Sequence, residues 1–154
     1  MTSGIMERAQ EVIRSGSLDS IQLAKKKYSQ MQEPLCRRWQ INKTELDILL
    51  FLANNPGLDR AADIVRIRQI TKSHVSLSVS NLEQRGLLVR AYDAEDRRTA
   101  HLKLTEEALP IVREGGRIQQ EFFGRVFAGL SDEELTLWRG ILEKVCSNIQ
   151  SMKD

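Results

Sequence analysis

"HVSLSVSNLEQRGLL" (His74 to Leu88) reads in two ways. Val75, Leu77 and Val79 alternate with Ser76, Ser78 and Ser80, the period of a half-buried strand, whereas "NLEQRG" continues a helix toward a glycine stop. At 3.6 residues per turn Val75, Val79 and Leu82 fall within roughly 60° of one another and form one inward stripe. Thr71 is an acceptable N-cap and Gly86 stands where a helix should end. The helix is the better reading, although serines are mediocre helix formers. It leaves Leu77 pointing away from the core beside Ser73, Ser80, Asn81 and Gln84.

The segment that follows has strand character. "LLVRAYD" and "TAHLKLT" alternate apolar and polar residues on either side of "AEDRR", which predicts a β-hairpin with Asp96, Arg97 and Arg98 at or near an exposed tip. "TEEALPIV" then starts another helix, which Pro110 and the pair Gly115, Gly116 should bend or weaken. The last helix is better marked. Ser131 and Glu134 are spaced as a capping box, Leu130 and Leu135 as a staple, and Leu135, Trp138, Ile141, Leu142, Val145 and Ile149 lie at helical spacing.

Upstream, Ile21, Ala24, Tyr28, Met31 and Leu35 recur at steps of three and four, predicting an amphipathic helix over 18–35. A second helix starts with Asn42 as cap and Glu45 at the third position, flanked by Ile41 and Leu46 as a staple, and ends at Asn55, Pro56 and Gly57. A shorter one is expected over "RAADIVRI", with Ala62, Val65 and Ile64 inward.

Composition bounds the function. A chain of 154 residues with 41% hydrophobic content is long enough for a real core. The longest apolar run, Ile48 to Ala53, is far too short for a membrane span, and the polar start lacks a signal-peptide core, so a cytoplasmic protein with no membrane partner is expected. The two cysteines fit a reducing compartment, and the histidines and cysteines show no zinc-site spacing, so no metal or cofactor is expected. There is no glycine-rich phosphate loop, nucleophile motif or acid/base pair, which argues against an enzyme. Between Arg60 and Lys103 nine Lys and Arg face five Asp and Glu, a net +4, while the rest of the chain carries −2. A cluster of that kind points to a polyanion.

Two short helices followed by a hairpin with arginines at its tip make a winged helix-turn-helix, a module that reads double-stranded DNA. The second helix would enter a major groove, with Ser73, Ser76, Ser80 and Asn81 available for phosphates or bases and Leu77 for a thymine methyl. Lys72, Arg85 and, at the side of the helix, His74 are suited to phosphates, and the wing arginines to the minor groove. His101, on a wing strand, reads as structural, and Trp39 and Trp138 as packing residues.

"KSHVSLSVSNLEQRGLLVRAYDAEDRRTAHLKLTEEA" (residues 72–108) resembles the recognition helix and wing of the MarR family of bacterial transcription regulators, and "LDILLFLANNPG" extends the resemblance upstream more weakly. Asp96, Arg97 and Arg98 match the family's Asp-x-Arg, by which Arg98 is the minor-groove residue and Asp96 its support. The resemblance implies a mainly α fold with a small β-hairpin wing, the winged helix-turn-helix being flanked by N- and C-terminal dimerisation helices. The organisation expected is 1–40 for the N-terminal helical part of the dimerisation region, 41–105 for the DNA-binding domain and 106–154 for the C-terminal dimerisation helices. Ile21, Tyr28, Leu135, Trp138, Ile141, Leu142, Val145 and Ile149 would then lie in a homodimer interface. A pseudo-palindromic operator, half-sites about one helical turn apart, repression, and a small, often aromatic ligand bound between the dimer and DNA-binding regions are implied too. The chain departs from the family at Leu77, where many members carry arginine, and in "DRAADIVRIRQI", whose spacing differs by about one residue from the commonest pattern.

Two rival readings stand beside this one. A winged helix can dock an acidic protein surface instead of DNA. Cys36, followed by Arg37 and Arg38, whose charges would lower its pKa, is a candidate redox sensor, although its position does not match the motif of the family's peroxide sensors.

Overall fold

The computed structural model describes residues 4, 7, 8, 10, 11, 17–94 and 98–152. It divides into two compact units, Met1–Gln119 and Gln120–Asp154. The described elements are α1 (Ser17–Trp39), α2 (Lys43–Asn54), α3 (Ala61–Arg68), α4 (Lys72–Gln84), β1 (Leu88–Tyr92), β2 (Ala100–Leu104), a 3-10 turn (Glu106–Ala108), α5 (Leu109–Val126) and α6 (Asp132–Ser151). A mainly helical chain with one antiparallel hairpin is the expected class.

The local signals at the start of the module act as anticipated. Asn42 Oδ1 accepts the Glu45 N–H at 2.8 Å and Glu45 Oε2 accepts the Asn42 N–H at 2.9 Å, so two orphan donors of α2 are satisfied reciprocally. The helix closes at Asn55, and Gly57 takes φ +91°, where a side chain would be strained. Leu46, Ile48, Leu49, Leu50 and Phe51 are all buried, making α2 the centre of the first unit's core. Around it pack Leu35 of α1, Ile64 of α3, Val75, Val79 and Leu82 of α4, Leu88 and Leu102 of the hairpin, and Ile111 of α5.

The opening ambiguity is resolved as a helix. Thr71 Oγ1 accepts the His74 N–H, and after Gln84 the chain turns through Gly86 at φ +68°, where the Leu87 N–H donates to Leu82 O at 2.9 Å. The hairpin pairs Leu88 with Leu104 through Tyr92 with Ala100.

One expectation fails. Ala62 is exposed, and Ile64 supplies the buried side chain of α3 with Val65 half-buried. A helix of eight residues shows only a narrow face to the core, and one position in two turns occupies it. Helix α5 is continuous over Leu109–Val126. Pro110 lies in its first turn, where no intrahelical N–H is needed, and Gly115 sits against α2: a Cβ built there would lie 2.9 Å from Leu50 Cδ2. Gly115 lets the two helices approach closely.

Candidate nucleic-acid interface

Helix α4 is fastened along one side. Glu45, only 5% exposed, completes the α2 cap with one carboxylate oxygen and with the other accepts Asn81 Nδ2 at 3.2 Å. Arg90, on β1, reaches Ser80 Oγ at 3.4 Å through Nη2, while its Nε lies 3.1 Å from Glu83 Oε2. Arg85 donates to Gln40 O at 2.7 Å and Trp39 O at 2.6 Å, satisfying carbonyls where α1 ends and Gln40 turns left-handed at φ +51°. Ser78, one of the small alternating residues, is buried and faces inward with Val75 and Val79. Arg85, expected on a phosphate, is a helix cap. Asn81, expected outward, is half-buried with its amide on Glu45.

The N-terminal half of the helix presents an outward face. Lys72, Ser73, His74, Ser76 and Leu77 are exposed, Leu77 to 62%, and Ser80 is half-buried beside them. Leu77 shares this face with no other large apolar side chain of α4. On the wing, Arg98 is exposed. Asp96 and Arg97 lie outside the described residues.

The cation cluster is more engaged than a linear count implies. Arg66 pairs with Asp63, Arg68 with Asp47 while its guanidinium lies 5.3 Å from the Phe51 ring centroid, and Arg85 and Arg90 hold the fold as described. Burial raises the Asp47 pKa, and the Arg68 charge opposes that shift. Lys72, at the first turn of α4, stands outside these pairings.

A sequence model of the MarR family matches residues 39–99. The transcriptional regulator HosA of Escherichia coli O127:H6 is 30% identical over 120 residues, 70% of this chain and 83% of HosA. The chain belongs to the MarR family. It is thus a winged-helix transcriptional regulator and not an enzyme. Among solved structures, the Staphylococcus aureus MepR–DNA complex matches with a TM-score of 0.67 at 25% identity, covering 83% of this chain and 94% of that one. Bordetella bronchiseptica BpsR, described in terms of regulation of its DNA binding by 6-hydroxynicotinic acid, matches with a TM-score of 0.64 at 21% identity, covering 86% and 98%.

In this MarR-family chain the dimerisation candidates behave differently from the core. On α6, Trp138, Ile141, Leu142, Val145 and Ile149 are between 45% and 58% exposed and Leu135 is half-buried. On α1, Ile21 is exposed and Tyr28 half-buried. No described helix is long and apolar enough to cross a membrane.

Cys36 corrects an expectation. Arg37 pairs with Glu33 and Arg38 with Glu114, and the thiol itself is buried in the core. Burial pushes its pKa up, the opposite of the thiolate character that the adjacent arginines would give if they faced it. Sequence neighbours at i+1 and i+2 on a helix point away from a given side chain. The ties that sequence reading missed, Glu45–Asn81, Arg90–Glu83 and His101 with Asp59, join residues at least seven positions apart and carry no local signature.

An apolar cavity of about 350 Å³ lies between α3, α4 and the wing. Val65, Val75, Val79 and Leu102 line it together with Lys72 and Arg90.

Proposed function

We propose that this regulator binds double-stranded DNA as a homodimer, inserting α4 into the major groove and the wing into the adjacent minor groove, and that it represses genes at a pseudo-palindromic operator until a small ligand releases it. Lys72, Ser73, His74 and Ser76 contact phosphates or bases, Leu77 packs on a thymine methyl, and Arg98, supported by Asp96 and flanked by Arg97, enters the minor groove. Ser80 lies at the edge of this surface, and Asn81 acts by holding the helix.

The observation that carries the reading is the contrast across α4. Its inner side is buried or fastened through Asn81, Ser80, Glu83 and Arg85, while its outer N-terminal half presents small polar side chains around one exposed leucine. Such a face admits close approach of a groove, and rigidity keeps its contacts in register. The homodimer is supported by the exposed apolar row of α6, which is larger than scattered surface residues and asks for a self-complementary partner. Two copies would set the recognition helices about one helical turn apart. Repression is the simplest outcome, since an occupied operator excludes polymerase from overlapping DNA. Ligand response is supported by the cavity beside α4, whose volume suits a single-ring molecule and whose Lys72 and Arg90 suit an acidic substituent.

Fluorescence anisotropy on the chain's own upstream DNA against scrambled DNA, over a salt series, tests this reading. Tight, selective, salt-dependent binding is expected, and Arg98→Ala should weaken it by about 1 to 3 kcal/mol without changing the mass of the dimer in solution. Equal affinity for both DNAs overturns the operator model, and unchanged affinity of the variant removes Arg98 from it.

A further inference from the structure

His101 lies on β2 opposite Ala91, and both nitrogens of its ring face carboxylates. Nδ1 is 2.8 Å from Asp59 Oδ1, in the loop between α2 and α3, and Nε2 is 3.1 Å from Asp93 Oδ2, just beyond β1 on the way to the wing tip. An ionised carboxylate only accepts hydrogen bonds, and a neutral imidazole has a single N–H to give. Both contacts therefore form together only when the ring carries both protons. Asp59 also accepts the Leu102 N–H on its backbone carbonyl at 2.7 Å, so the same loop residue holds the wing strand once through a bond that pH does not alter and once through a bond that it does.

We propose that His101 is a positioning residue for the DNA-binding surface: as the imidazolium it clamps the wing to the α2–α3 loop, and loss of its proton frees the outer wing. This rests on the operator-reading function proposed above. The charged groups around the ring support the assignment. Asp59 from the loop and Asp93 from the wing favour its charged form. Lys103 lies two residues along β2, on the same side of the strand, and Arg60 follows Asp59; the ring's hydrogen-bond partners are Asp59 and Asp93. Asp63 of α3 is turned to Arg66. Without the ring proton two carboxylates converge on an uncharged bridge, and one of the two nitrogens presents a lone pair to an acceptor. The hydrogen bond to Asp59 accordingly raises the His101 pKa above the ordinary 6.5, with Asp93 adding to the shift and burial working against it.

A raised folded-state value stabilises the protonated form, so the clamp is complete below the unfolded value and is lost as pH rises through the folded one. Wing geometry, and with it the reach of Arg98, should follow that titration.

The test has two arms. In the free protein, imidazole ¹⁵N NMR, with His101→Gln to assign the signals, should give a His101 midpoint above 6.5, and wing amide shifts and hydrogen exchange should change with the same midpoint; Asp93→Asn should lower it. A midpoint at or below 6.5, or wing amides indifferent to it, overturns the proposal whether or not DNA is bound. In the second arm, operator affinity of the wild type should fall roughly five-fold between about pH 6 and pH 8.5. His101→Gln, checked for native fold by circular dichroism, should be flat over that range and close to the high-pH wild type. A wild-type affinity that does not vary, or a variant that varies equally, removes His101 from DNA positioning. Absence of selective DNA binding at any pH would instead condemn the operator reading, leaving the first arm to judge the clamp.

Discussion

Helices α2 and α6 begin in the same way and end differently. Each opens with a reciprocal capping box, Asn42 with Glu45 and Ser131 with Glu134, and each carries an apolar stripe. Along α2 that stripe is buried almost completely, whereas α6 buries no residue at all. Capping and periodicity specify that a segment is helical and which of its faces is apolar. Whether that face is covered depends on what is brought against it, and helices take most of their stability from such cover. The first unit finds its cover within the chain, while the apolar residues of α6 stay exposed in the single chain.

This difference can be broken by mutation. The largest effect is expected at the first unit's core: Leu82→Ala, on the buried face of α4, should lose about 2 to 5 kcal/mol in urea denaturation, because it removes buried methyl groups and leaves a cavity. Leu142→Ala, the matching change on α6, should cost much less in a dilute monomer, and its effect should grow with protein concentration if a dimer covers that face. Comparable, concentration-independent losses at both sites would erase the distinction.

Next in size is Glu45→Ala. Removing the buried carboxylate leaves the Asn42 N–H and the Asn81 amide without their acceptor, for a loss of about 1 to 3 kcal/mol. Amides at the start of α2 and in the last turns of α4 should become less protected together. Independent changes would mean that the shared carboxylate does not couple the two helices. The smallest effect separates adjacent glycines on α5. Gly115→Ala pushes a methyl into Leu50 and should destabilise by about 1 to 2 kcal/mol despite better helix propensity. At Gly116, where an added Cβ meets nothing within 4 Å, alanine should stabilise by about 0.5 to 1 kcal/mol. Equal thermal shifts of the two variants would refute the close approach of α5 to α2.

Much of this architecture was legible before any coordinates. Thr71 and Gly86 bounded α4, the apolar residues at 75, 79 and 82 chose helix over strand, and the alternation in the hairpin placed both wing strands. The candidate surface was legible in outline, because a leucine on the wrong side of a well-marked helix is conspicuous. Its supports were not. Ser78 looked like its neighbouring serines until packing turned it inward, Arg85 looked like a free cation until it met the end of α1, and His101 gave no hint of its two carboxylates.

The sequence by itself determined the helices, their caps, the hairpin and the family, since these depend on interactions within a few residues or on motifs read along the chain. The tertiary structure alone decided which polar groups stand ready and which are engaged. Arg85, Asn81, Cys36 and His101 each changed meaning when residues distant in sequence came within bonding or packing distance. A side chain's charge and hydrogen-bonding state belong to its surroundings in space, and local sequence specifies only part of those surroundings.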